Sequence, residues 1–128
     1  KMICVLGSAG GGSDKWKRQE FGKIAAKHCD TVILTNEDPY DEDPQAIIDE
    51  IEKGFFQAAS LSDKAARLYK ILDRGEAIKK AVWSAASADT VIITGKGSEP
   101  VIMGPKGSRM PWNDGREARK AIHEPAHE

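Results

Sequence analysis

Asp30-Thr31-Val32-Ile33-Leu34-Thr35 returns almost unchanged as Asp89-Thr90-Val91-Ile92-Ile93-Thr94, and this doubled hexapeptide decides the fold. Each copy follows a helix-like segment and runs into a polar loop, so each reads as a strand entered from a helix. A strand with one wet face would alternate apolar and polar residues. Near-continuous Val/Ile runs are instead what strands covered on both faces need. A mostly parallel sheet flanked by helices, hence a three-layer α/β domain, is the expected architecture.

The rest of the chain extends this pattern. Residues 2–6 form a short apolar run that ends at the glycine-rich segment 7–12, followed by Phe21, Ile24, Ala25 and His28 at helical spacing. That is strand, loop, helix. Residues 69–72 read as a third core strand, and residues 101–103 as a short antiparallel outer strand between Pro100 and Gly104-Pro105. The helices are marked by their caps. Asp43-Pro44 supplies an N-cap and a first-turn proline before Ile47, Ile48 and Ile51, with Gly54 as the expected stop. Asp73 with Glu76, and Asp114 with Glu117, have capping-box spacing before the next two helices. Residues 56–68 stay open between a helix extension and a loop. The tail after Ile122, with His123, Pro125 and His127, reads as frayed.

The 128 residues suit one Rossmann-like domain spanning 1–128. The chain is 40% apolar and 30% charged, and it has no apolar run near the roughly 20 residues a membrane span needs. Lys plus Arg number 19 against 20 Asp plus Glu, so the net charge of −1 gives no global attraction to nucleic acid or anionic lipid. Cys4 and Cys29 have no second cysteine or histidine at metal-ligand spacing and read as buried thiols of a reducing, cytoplasmic compartment. The chain opens on Lys1 and passes straight into a strand, so it is expected to be a piece of a larger enzyme carrying part of a site.

Ligands of open α/β sheets bind at the C-terminal ends of the strands. Three loops lie there: residues 7–18, 36–43 and 95–99. The first breaks the dinucleotide fingerprint at Ala9 and has Ser13 where a Walker lysine would stand. Two readings are open for it: an anion or carboxylate site served by Lys15, Lys17 and Arg18 at a helix start, or a tight turn with a solvated basic first turn. The second carries five carboxylates in eight residues, Glu37, Asp38, Asp41, Glu42 and Asp43. A bound ammonium, a metal held by oxygen ligands and a solvated acidic turn are all compatible with it, although the spacing is not that of an EF-hand. The third, Gly95-Lys96-Gly97-Ser98-Glu99, joins two glycines to a lysine and a carboxylate. Together they suggest a pocket that reads both acidic and amino groups, as an amino acid presents. Trp16, Trp83 and Trp112 read as packing residues. His28, His123 and His127 have no visible catalytic partner, and no metal-binding set is expected.

Together these loops resemble the C-terminal domain of the Mur ligases, most closely the branch that adds the third residue of the peptidoglycan stem peptide. The likeness rests on Gly10-Gly11 with Asp14-Lys15-Trp16-Lys17-Arg18, on residues 35–44, on Asp73-Arg74-Gly75-Glu76-Ala77-Ile78, on Gly95-Lys96-Gly97-Ser98-Glu99 and on Asn113-Asp114-Gly115-Arg116-Glu117. It implies an ATP- and Mg-dependent ligase. In that family a central ATP-binding domain, absent from this chain, phosphorylates the D-glutamate carboxylate of UDP-MurNAc-L-Ala-D-Glu. The amine of a diamino acid then attacks the acyl phosphate. The C-terminal domain closes over the site and holds the amino acid, a proximity device that also excludes water.

The resemblance further implies Ser13, Glu37, Asp38, Tyr40, Gly97 and Glu99 as amino-acid-binding positions, with Lys15, Arg18 and Lys96 as possible carboxylate or phosphate contacts. Members that add meso-diaminopimelate show arginine at the positions of Ser13 and Tyr40. Neither residue offers the bidentate fork suited to a carboxylate. With Glu37 and Asp38 in the second loop, this favours a side-chain ammonium such as that of L-lysine or L-ornithine over diaminopimelate. Another Mur-type ligase, or a non-catalytic Rossmann-like binding module, are the alternatives.

Overall fold

In a computed structural model, which describes residues 1–12, 14–61 and 66–124, the chain runs β1 (Met2–Leu6), α1 (Trp16–His28), β2 (Thr31–Leu34), α2 (Pro44–Ala59), β3 (Arg67–Lys70), α3 (Arg74–Ser84) and β4 (Thr90–Ile93). It continues through β5 (Val101–Met103), a 3-10 turn at Pro105–Gly107, β6 (Arg109–Pro111) and α4 (Asp114–His123). The main sheet is parallel with strand order β3-β2-β1-β4. The two hexapeptides therefore stand on either side of the same strand, and Cys4 of β1 is level with Val32 on one side and Ile92 on the other. Their terminal threonines dock alike: the Thr35 N–H donates to Leu6 O at 2.9 Å and the Thr94 N–H to Val5 O at 3.0 Å.

Strand alternation divides the core into two layers. Cys4, Val32 and Leu34 face α1 and α2 and pack with Ala25, Ile47, Ile48, Ile51 and Phe55. On the other face Ile3, Val5 and Ile33 meet Ala77 and Ala81 of α3. Helix α4 lies on α3, where the Trp83 indole donates to Ala121 O at 2.8 Å. Among the described residues no helix is long and apolar enough to cross a membrane.

Several expectations need correction. Gly54 does not stop α2, which continues to Ala59. A Cβ at Gly54 would collide with the Gln19 carbonyl of α1, and one at Gly22 with the backbone of Ile51 and Phe55. The two glycines mark the crossing of α1 and α2, a packing role that resembles a stop signal in sequence. The third core strand is Arg67–Lys70, two residues earlier than expected. Of the open segment 56–68, residues 56–59 are helical and residues 62–65 lie outside the described residues. The outer strand Val101–Met103 pairs antiparallel with Arg109–Pro111, apart from the main sheet, with Ile102 opposite Met110.

At α4 the cap is Asn113, whose side chain accepts from the Arg116 N–H at 2.9 Å, so Asp114 is free for another partner. Cys4 and Cys29 are joined as a disulfide across Cα atoms 6.3 Å apart. They are 25 residues apart in sequence, but α1 returns along β1 and delivers Cys29 beside it. Trp16 is 65% exposed at the start of α1 and does not serve as a packing residue. Strand β4 is covered less fully than its composition suggested, with Ile92 exposed beside an open apolar groove lined by Phe21, Ile24 and Leu6.

Candidate functional site

The loops after β1, β2 and β4 meet because their strands are adjacent, and the second loop holds the other two. Toward the first loop, the Gly10 N–H donates to Asp38 O at 2.6 Å and the Gly11 N–H to Glu42 Oε1 at 2.9 Å. Any side chain at Gly10 would strike the Pro39 carbonyl, and Gly11, at φ +69°, leaves its α-carbon open to the Tyr40 ring. Tyr40 itself has φ +52°, a left-handed conformation that is rare for an aromatic residue. Its N–H donates to Met103 O at 3.2 Å, tying the turn to β5.

Toward the third loop the link is ionic. The Lys96 ammonium lies 2.8 Å from each carboxylate oxygen of Asp38 and 2.7 Å from Glu99 Oε2. Lys96 is 2% exposed, and burial, which works against its charge, is outweighed by the hydrogen bonds it donates to Asp38 and Glu99, so its pKa is raised. Asp38 also accepts from the Met103 N–H at 2.8 Å. Asp38 and Lys96 thus satisfy each other. Glu99 differs: one oxygen is held by Lys96 while its side chain stays largely open to solvent. Gly97, at φ +53°, has open space where a side chain would stand.

Glu37 lies between these loops. Its carboxyl occupies the space a Cβ on Gly95 would need, and it accepts no hydrogen bond from the described residues. Burial raises its pKa, opposed by the nearby positive charge of Arg74. It lines a pocket of about 290 Å³ with Ala9, Gly12, Lys15, Lys17 and Phe21. At the rim of this pocket Lys15 is exposed and makes no ion pair among the described residues, whereas Lys17 pairs with Asp14 at 3.2 Å. Arg18 is 2% exposed and fully engaged, by Glu42 at 3.1 Å, Glu50 at 3.3 Å and Ala9 O at 3.1 Å. Ser13 lies outside the described residues.

The expected site residues therefore fall into two groups. Glu37, Glu99, Gly97 and Lys15 present free chemistry at the loops. Asp38, Arg18 and Lys96 are taken up by partners within the chain, and Tyr40 closes the first loop against the second. Glu37 and Lys15, which line the same pocket, can hold an ammonium at one end of a ligand and a carboxylate at the other. Glu99 is not in that lining but is near enough for its charge to act on Glu37. Among the described residues, nothing pairs a nucleophile with a base.

Sequence reasoning missed the cluster that holds the loops from below. The Arg74 guanidinium donates to both oxygens of Asp114 at 2.9 Å, to Thr94 O at 2.7 Å and to Asn36 O at 3.0 Å. It thereby fixes the ends of β2 and β4 that enter the second and third loops. In sequence, Asp73-Arg74 and Asn113-Asp114 look like two unrelated helix caps, and the separation of 40 positions between Arg74 and Asp114 conceals the pair.

A family model described as "Mur ligase, glutamate ligase domain" matches residues 1–97. The UDP-N-acetylmuramoyl-L-alanyl-D-glutamate–2,6-diaminopimelate ligase of Coxiella burnetii is 43% identical over 122 residues, 95% of this chain and 23% of that protein. The UDP-N-acetylmuramyl-tripeptide synthetase of Deinococcus radiodurans is 38% identical over 123 residues, 96% of this chain and 24% of that protein. A solved structure of a UDP-N-acetylmuramoyl-L-alanyl-D-glutamate–2,6-diaminopimelate ligase superposes with a TM-score of 0.82 at 33% identity, covering 95% of this chain and 23% of that one. The chain thus spans about a quarter of the length of these relatives.

Proposed function

Because the chain belongs to the Mur ligase family, we propose that it is the amino-acid-binding domain of an ATP- and Mg-dependent ligase that joins a diamino acid to UDP-MurNAc-L-Ala-D-Glu. The observation that carries this reading is Glu37, a half-buried carboxylate with no hydrogen-bond donor among the described residues, set in a pocket with a free lysine at its rim. Partial burial disfavours its charge, and a ligand that brings a charged donor to this carboxylate would offset that cost more fully than the solvent it still reaches. An ammonium is the matching donor.

In this reading Glu37 and the free oxygen of Glu99 receive the side-chain ammonium, Lys15 draws the α-carboxylate, and Gly97 leaves room for close approach. Held there, the α-amine forms a bond to the activated D-glutamyl carbonyl as the carbonyl's bond to phosphate breaks and the amine gives up a proton. ATP supplies the phosphoryl group that activates the carboxylate. The first glycine loop does not fit ATP phosphates in the Walker manner, since Ser13 stands in place of the lysine. We assign ATP and Mg to the part of the polypeptide outside this chain, so these 128 residues alone are expected to be inactive. With a nucleotide-linked precursor and ATP as its substrates, the reaction in this reading belongs to the cytoplasm, where both are supplied.

Most of these relatives carry diaminopimelate in their names, yet Tyr40 offers no guanidinium fork for a second carboxylate, and with Asp38 neutralised by Lys96 it is Glu37 that supplies the free carboxylate of the second loop. This favours a diamino acid with one carboxylate, L-lysine or L-ornithine. The test is phosphate release by the intact polypeptide with ATP, Mg and UDP-MurNAc-L-Ala-D-Glu, offering L-lysine, L-ornithine and meso-diaminopimelate separately. Release with one of the three supports the ligase and names its substrate. Diaminopimelate as that substrate would overturn the use made of Tyr40, and release with none would favour a different Mur-type substrate or a binding module.

A further inference from the structure

Lys96 was a candidate to meet a ligand's carboxylate or phosphate, but its ammonium has no proton to spare. Three charged hydrogen bonds, two to Asp38 and one to Glu99, lie between 2.7 and 2.8 Å and use all three of its donors. A lysine 2% exposed in a loop at the strand ends is costly to bury, and only this full set of partners offsets it. The question is what the arrangement does for the pocket.

The answer lies in which carboxylates are left over. Glu37, Asp38 and Glu99 crowd the second and third loops, and without Lys96 an incoming cation could settle on any of them. Lys96 removes Asp38 from competition by covering both of its oxygens. It also grips one oxygen of Glu99, a side chain on an otherwise open loop beside Gly97, and so fixes where the other oxygen points. We propose that Lys96 is a positioning residue that sets amine selectivity: an internal ammonium that blocks Asp38 and aims Glu99, leaving Glu37 and one oxygen of Glu99 as the ammonium subsite. This rests on the ligase reading above and adds to it a residue that never touches the ligand.

Two variants of the intact polypeptide separate this role from loop stability. Lys96→Met leaves three unneutralised carboxylates and is expected to destabilise the fold. The double variant Lys96→Met with Asp38→Asn removes the buried charge on both sides and keeps an acceptor for the Met103 N–H, so its melting temperature should return toward that of the unaltered protein. In the double variant Glu99 is still unaimed. Its KM for the diamino acid should rise about tenfold or more, the scale of losing one charge-assisted hydrogen bond, while the KM for ATP stays the same and kcat changes less than twofold. A double variant that is stable and keeps the original amino-acid KM would show that Lys96 only neutralises Asp38, and would overturn the proposal. A rise in both KM values together would also overturn it, pointing to general loosening of the loops. If the unaltered protein releases phosphate with none of the diamino acids, the ligase reading has failed, and the Lys96 proposal, which rests on it, fails too.

Discussion

Arg74 and Asp114 meet in a two-pronged ion pair, 2.9 Å at each prong, at the adjoining N-terminal ends of α3 and α4. The Trp112 indole adds a third donor to Asp114 at 2.6 Å. Because the same guanidinium also holds Asn36 O and Thr94 O, the pair couples helix packing to the position of the site loops. Removing one partner strands a buried charge, which typically costs about 3–5 kcal/mol. Asp114→Ala is expected to lower unfolding stability by that order in urea titrations. Arg74→Lys, which keeps the charge but loses the fork, should fall in between. A loss below about 1 kcal/mol for Asp114→Ala would show that the pair is not a main support.

The same pair sets an acid limit. Burial pushes the Asp114 carboxyl upward, but the hydrogen bonds from Arg74 and Trp112 outweigh it and hold its pKa below the usual carboxylate range. A carboxylate with a lowered folded pKa stabilises the protein above its unfolded value, about 3.9, and that contribution is lost as the pH falls through the folded value. Asp114→Asn is therefore expected to be less stable at neutral pH and to show a flatter loss of stability below about pH 4. An unchanged acid limb would assign acid unfolding to other groups.

Gly54→Ala tests whether the α1–α2 crossing is as close as described. Inside an exposed helix this change would add up to about 1 kcal/mol of helix propensity. Here the new methyl group meets the Gln19 carbonyl, a backbone atom that cannot step aside without moving α1. Overpacking of this kind costs about 1–3 kcal/mol, so net destabilisation is expected in chemical denaturation. Stabilisation would mean that α1 and α2 stand further apart.

The contrast between Gly54 and the hexapeptides shows what was legible. Val32, Ile33 and Leu34 read correctly as a buried strand because burial on both faces leaves a pattern along the chain itself. Asp73 read correctly as a cap because its partner, the Glu76 N–H, lies three residues on. Gly54 misread because the reason for it is Gln19 on another helix. The same holds at the site. The three loops could be located from strand ends, but which carboxylates were free could not, since Asp38 is neutralised by a lysine 58 residues away. Charge type is local information, and charge pairing is not.

Tyr40→Arg tests the second loop as a selector. Tyr40 packs against Gly11 at the junction of the first two loops, where a guanidinium would add a fork suited to a second carboxylate. If the ligase reading holds, the ratio of kcat/KM for meso-diaminopimelate to that for L-lysine is expected to rise by about tenfold or more in the intact polypeptide. If the ratio stays put, the position does not read the ligand's carboxylate. Arginine meets the same left-handed backbone at φ +52° that Tyr40 already adopts, so the backbone gives no reason for the change to cost stability.

Glu37→Gln sets stability against binding. Burial raises the Glu37 pKa, and the charge of Arg74 only partly offsets it. A carboxyl with a raised folded pKa keeps its proton longer in the folded state. It therefore penalises folding once the pH rises through the interval between its unfolded value, about 4.3, and its raised folded value, and it costs nothing below that interval. Glutamine removes the charge and keeps the shape, so Glu37→Gln is expected to melt higher than the unaltered protein at pH 7 and equally at pH 4. If the ammonium reading is right, the same variant loses affinity for the diamino acid, with KM up by about tenfold or more and the KM for ATP unmoved. A residue whose removal helps the fold and harms binding is one held in place by its ligand. A lower melting temperature at pH 7 would show that Glu37 has a structural partner, and an unchanged amino-acid KM would take it out of the pocket.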